Sequence, residues 1–198
     1  MRPLASLLVL ALLAGCGGGA GDERADLPPP DHNVVLIVID TLGARYLGAH
    51  TPGLDNSPTI DRLAREGVHF TRAYTTAPWT QPAVASLFTS QVPSRHGVRQ
   101  IFHRLDTGHT TLAEHLKQRG LRTAGVISHF VIGDEFGYGQ GFDSYDASPV
   151  GDHRAVTSDA VTDGAIAAVD RLAGEPFFLF VHYFDPHWYY NHHPRFDQ

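Results

Sequence analysis

The sequence predicts an α/β fold with a mostly parallel sheet, and three observations predict it. Two apolar runs, residues 33–39 (NVVLIVI) and 176–183 (PFFLFVHY), read as strands buried on both faces. Helix signals alternate with strand signals between them. Polar clusters follow directly on the strand ends, where sites of parallel α/β sheets gather.

The first run stops at Asp40. Ser57 and Pro58 then open a helix as N-cap and first-turn residue, and Gly67 closes it after Glu66. Residues 68–74 are read as a further strand. A helix is expected from about Thr80 to Thr89, and another opens at Thr110 or Thr111. Glu114, three residues after Thr111, makes a capping box there, and Gly120 ends the helix. Residues 121–127 predict a strand, 156–172 a longer helix and 176–183 the final strand.

Before this domain the chain has a different character. Arg2 precedes an apolar run, residues 4–13, too short to span a bilayer. Leu13, Ala14, Gly15 and Cys16 follow in the pattern of a bacterial lipobox, in which the cysteine is acylated. The expected organisation is a lipoprotein signal peptide over 1–16, a flexible Gly- and Pro-rich tether over 17–32, and a catalytic domain over 33–198. Cys16 is the only cysteine, so no internal disulfide can form. An export signal with an acylated Cys16 predicts a protein anchored through lipid to a bacterial membrane, facing the periplasm or the exterior. The net charge of −6 lacks the basic excess of a nucleic-acid-binding face. Oligomeric state is not legible.

Three groups stand where strand ends meet: Asp40 with Thr41, Ser128 with His129, and Asp185 with Pro186 and His187. A carboxylate emerging from a buried strand needs a partner, a divalent cation or a backbone cap. Thr80 falls at a helix N-terminus, suited either to nucleophilic attack on a bound anion or to plain capping. His182, His192 and His193 read as solvated or hydrogen-bonded surface histidines. No GxSxG elbow, HExxH pair or phosphate-binding glycine loop occurs.

These residues resemble the sulfatase family of the alkaline phosphatase superfamily. The similarity runs through residues 33–42 (NVVLIVIDTL), 58–64 (PTIDRLA), 67–74 (GVHFTRAY), 77–82 (APWTQP), 85–90 (ASLFTS), 93–98 (PSRHGV), 141–143 (GFD) and 177–187 (FFLFVHYFDPH), in order. It implies a three-layer αβα sandwich, incomplete at the C-terminus, and a divalent metal, usually calcium. It gives Asp40 the role of first metal ligand, Thr80 that of nucleophile, and His187 and His129 those of groups acting on the ester. Asp185 stands beside them as a substrate-binding candidate. The implied reaction is hydrolysis of a sulfate ester by in-line displacement.

Three departures accompany the resemblance. The family carries Cys or Ser, matured to formylglycine, where Thr80 stands, so no formylglycine is expected and phosphodiester or phosphonate hydrolysis, or phosphoglycerol-type transfer, stays open. Val84 replaces an arginine, and Ser128 with His129 replaces a lysine–histidine pair. Further metal carboxylates are expected in a later segment, which keeps open a third reading, a catalytically silent membrane-tethered fragment.

Overall fold

A computed structural model describes residues 30–151, 155–188, 190 and 193; the expected signal peptide, Cys16 and nearly all of the tether lie outside them. Four strands form one parallel sheet: β1 (Val34–Ile39), β2 (Arg122–Ile127), β3 (Ser144–Asp146) and β4 (Phe177–Tyr183), in the order β1-β4-β2-β3. The main helices are α1 (Pro58–Glu66), α2 (Thr80–Thr89), α3 (Pro93–His96), α4 (Leu112–Gln118) and α5 (Ser158–Leu172).

The last strand is thus a central one. Alternation along β4 sends Phe178 and Phe180 into one core, with Val84, Ala85 and Phe88 of α2 and Ala113 of α4. It sends Phe177, Leu179 and Val181 into a second core, with Val161, Ala168 and Leu172 of α5. Helices on both faces make three layers, as expected. Each fully buried phenylalanine contributes about 2–3 kcal/mol of transfer free energy.

Two expectations change. β1 is not covered on both faces: Val35 is 49% and Ile37 56% exposed, because α5 packs only on β2 and β4. Residues 68–74 form no strand. Val68, Phe70 and Tyr74 are 73–85% exposed, and their backbone pairs with no strand among those described. Without a neighbouring ladder such a segment does not make a strand. The short β3 had no sequence signal.

The Gly141–Phe142–Asp143 block turns out to be architectural. Gly141 has φ of +84°, and a Cβ there would lie 2.3 Å from the Glu114 backbone nitrogen. Thr111 and Glu114 form the expected capping box at that point, and the Thr111 hydroxyl also donates to the Gln140 carbonyl (3.1 Å). Asp143 accepts from Lys117 (2.7 Å), from Arg122 (3.2 Å) and from the Thr123 N–H (3.0 Å). Partial burial works to raise its pKa, but those donors outweigh it and bring it to about 2. Gly141→Ala combines left-handed strain with a backbone clash, so a loss of about 3 kcal/mol in urea unfolding is expected.

Candidate active site

β1, β2 and β4 all end on one side of the sheet, and α2 begins there. Asp40 is the first residue past β1, and its N–H still donates to the Tyr183 carbonyl (2.8 Å), so the β1–β4 ladder holds its position. Thr41 then turns left-handed at φ of 57°, a sparsely populated region for a β-branched residue. Such strain collects at functional sites.

The Thr80 hydroxyl donates to Asp40 Oδ2 at 2.8 Å, joining residues 40 apart in sequence. His182 Nε2 lies 3.4 Å from the same oxygen. Burial works to raise the Asp40 pKa. Hydrogen bonds from His182 and Thr80, with the charges of His182 and His187, prevail and hold the carboxyl below its ordinary range. The structure thus joins Asp40 to Thr80 and His182 by direct contact, and His187 acts on Asp40 through its charge.

His182 does not fit its sequence reading as a surface histidine. It is fully buried in β4, paired in register between Val38 of β1 and Ile127 of β2. It lies on the α2 face, the third member of the set Phe178, Phe180, His182. No sequence signal set it apart, because both faces of β4 are apolar and its hydrophobicity carries no period. His193 is half-buried, with Nε2 3.4 Å from Asp185 Oδ2, in keeping with a hydrogen-bonded histidine; His192 lies outside the described residues.

Three rings line the neighbouring wall. Phe184 is stacked between His129 (centroids 3.9 Å apart, planes 24°) and His187 (4.2 Å, 15°). His129 is buried and its Nδ1 accepts from the Val131 N–H (3.4 Å), so the neutral ring carries its proton on Nε2. The Ser128 hydroxyl donates to the His182 carbonyl (2.9 Å), which fastens β2 to the end of β4.

Asp185, a candidate for substrate contact, has its carboxylate engaged elsewhere. It accepts from the Thr157 N–H (3.0 and 3.1 Å) and hydroxyl (2.7 Å), and from the Ser158 N–H (2.9 Å) and hydroxyl (2.5 Å). It thereby caps the start of α5, a carboxylate at the positive end of a helix. Burial works to raise its pKa, and these donors more than offset that, leaving it below its usual value.

Thr80 opens α2, a ten-residue helix. The next residue is held from three sides: the Gln81 carbonyl accepts from the Tyr138 hydroxyl (2.6 Å), and its side chain binds Phe102 N–H and the His103 carbonyl. Free N–H groups and the helix dipole beside a fixed hydroxyl suit an anionic ester. A calcium ion does not fit the described residues alone. No three His, Cys, Asp or Glu side chains converge among them, and Asp40 with Thr80 offers far fewer than the about six oxygens calcium takes.

Known proteins share this fold. The sulfatase family model matches residues 32–198. Arylsulfatase G of Mus musculus is 33% identical over 132 residues, covering 64% of this chain and 24% of the relative. This chain thus spans about a quarter of that relative's length. Among solved structures, a protein in the alkaline phosphatase superfamily from Vibrio parahaemolyticus superposes with a TM-score of 0.70 at 26% identity, covering 87% of this chain and 45% of that one. BT4656, solved with its substrate D-glucosamine-2-N,6-O-disulfate, gives a TM-score of 0.72 at 22% identity, over 83% of this chain and 36% of that one. The match of the family model over residues 32–198 leads to one assignment: the chain belongs to the sulfatase family.

Proposed function

We propose that the chain carries the nucleophile and proton-handling groups of a sulfate-ester hydrolase. The supporting observation is the 2.8 Å hydrogen bond from Thr80 to Asp40 at the start of α2. In the proposed reaction the Thr80 oxygen attacks sulfur in line with the ester oxygen. A bond to Thr80 forms, the bond to the leaving alcohol breaks, and the alkoxide takes a proton from the protonated ring of His187. The Thr80 proton passes toward Asp40, and water then attacks the threonine sulfate, releasing sulfate and restoring the hydroxyl. The α2 N-terminus offsets charge on the equatorial oxygens. A divalent cation, calcium foremost, enters this proposal only together with carboxylates additional to Asp40.

A second reading, hydrolysis of phosphodiesters or phosphonates or transfer of a phosphoglycerol group, is favoured by Thr80 itself. A threonine cannot be matured to formylglycine, so the hydroxyl must act directly. Rates on an aryl sulfate and an aryl phosphodiester, measured side by side with calcium, manganese or zinc added, separate the two. A kcat/KM ratio favouring the sulfate by more than about tenfold supports the first reading, and the inverse ratio supports the second. Turnover of neither supports the silent, tethered reading.

The membrane anchor is likewise part of the proposal. Palmitate labelling of the protein made in a bacterial host is expected, and its persistence in Cys16→Ala would refute acylation at that cysteine.

A further inference from the structure

The loop after β1 and the segment after α1 each bring one histidine to the same point. His50 Nε2 and His69 Nε2 are 3.1 Å apart. Their ring centroids are 4.5 Å apart and their planes cross at 82°, an edge-on meeting of two nitrogens and not a stacked pair. Beside them opens a cleft of about 490 Å³, lined by Asp55, Asp61, Arg65 and His69 among others, and by none of Asp40, Thr80, His182 or His187.

The backbone that presents His50 is fastened in advance. The Gly48 N–H donates to the Ser57 hydroxyl (2.9 Å) and the Ala49 N–H to Asp61 Oδ1 (2.8 Å). The Ser57 hydroxyl donates to that same Asp61 oxygen (3.0 Å), and Asp61 is buried in the first turn of α1. A Cβ on Gly48 would lie 2.3 Å from Asp61 Oδ2, so only glycine allows this approach. The His50 N–H donates to the Leu47 carbonyl (3.1 Å), closing a turn. A ligand presented from a fixed backbone loses little entropy on binding.

We infer that His50 and His69 form a two-imidazole site for a borderline divalent transition metal of the zinc class. Two nitrogens bound at about 2.0–2.1 Å to one such cation, at an angle near 100°, stand about 3.1 Å apart. Imidazole pairs select zinc, nickel, copper or cobalt over calcium or magnesium, which take oxygen. Water from the open cleft completes the coordination. The bound cation ties the loop that leaves Asp40 to the segment that leads to Thr80. Metal binding at this pair is independent of the reaction proposed above, and only the tie to the site rests on it.

The test titrates the untagged full chain with zinc chloride alone, by calorimetry and thermal unfolding, alongside His50→Ala, His69→Ala and Asp40→Asn. One zinc ion per chain and a rise in Tm are expected. Each histidine variant should weaken binding by at least about tenfold, and Asp40→Asn should leave it unchanged. Circular dichroism confirms that these surface variants fold. Binding that survives in both histidine variants overturns the inference, as does absence of binding to the parent chain. Binding lost in Asp40→Asn but retained in His50→Ala moves the cation to the Thr80 site and likewise overturns it. Catalytic assays play no part, so a failed zinc titration and a failed ester hydrolysis remain separate results.

Discussion

Thr80→Ala is expected to lower kcat on the preferred ester by on the order of a thousandfold or more, in a protein that still folds. The alanine has no oxygen to attack sulfur or phosphorus, and among the described residues no other hydroxyl donates to Asp40. Thr80→Ser keeps the oxygen in place and should retain activity within about tenfold of the parent. Stability separates loss of chemistry from loss of structure. Removing one hydrogen bond to a buried carboxylate costs about 1–2 kcal/mol, because His182 still faces Asp40. A Thr80→Ala protein with full activity would remove Thr80 from the nucleophile role and leave it a helix-terminal residue.

The largest effect on stability is expected at Asp185. Its carboxylate satisfies two N–H groups and two hydroxyls at the start of α5, and it is only 6% exposed. Asp185→Ala leaves those donors without that acceptor and removes the negative charge from the helix N-terminus. A loss of about 3–5 kcal/mol in urea unfolding is expected, against about half of that for Asp185→Asn, which keeps one acceptor oxygen. A pH dependence accompanies it. The pKa of Asp185, like that of Asp40, is lower in the folded protein than the model-peptide value of 3.8. Its contribution is therefore fully present above about pH 4 and is lost as pH falls through the depressed folded value. Asp185→Asn should flatten that acid limb of the stability curve. An unchanged limb would mean that the carboxylate does not stabilise α5 through its charge.

Both Asp185 and His182 show where reading the chain succeeds and where it stops. The run 176–183 is long, apolar and bounded by Pro176 and Asp185, so the strand itself was legible. Its side-chain directions were not, because both faces are buried and hydrophobicity then carries no period. His182 thus looked like its neighbours His192 and His193, although it sits in the core facing Asp40. The partners of Asp185 are 27 and 28 residues away, and no local pattern links a carboxylate to a helix start at that distance. Conversely, the capping box of Thr111 and Glu114 was readable because its partners are three residues apart. Residues 68–74 failed for another reason: a strand needs a neighbour, which no local window contains. Asp40 and Thr80 meet although they are 40 residues apart, because strand ends and helix starts converge in this architecture whatever the intervening sequence.

The position of β4 has a consequence for how the chain is made. Among the described residues β1 has no strand partner but β4, and their paired residues are separated by 144 positions. During synthesis the apolar stretch 34–39 must therefore wait, unpaired, until residue 183 is free to pair. The β2–β3 pair itself can form only once residue 146 is made, and β4 joins it only after residue 183. Folding is then a late event keyed to one strand, and the waiting segment is the one that a holdase should bind.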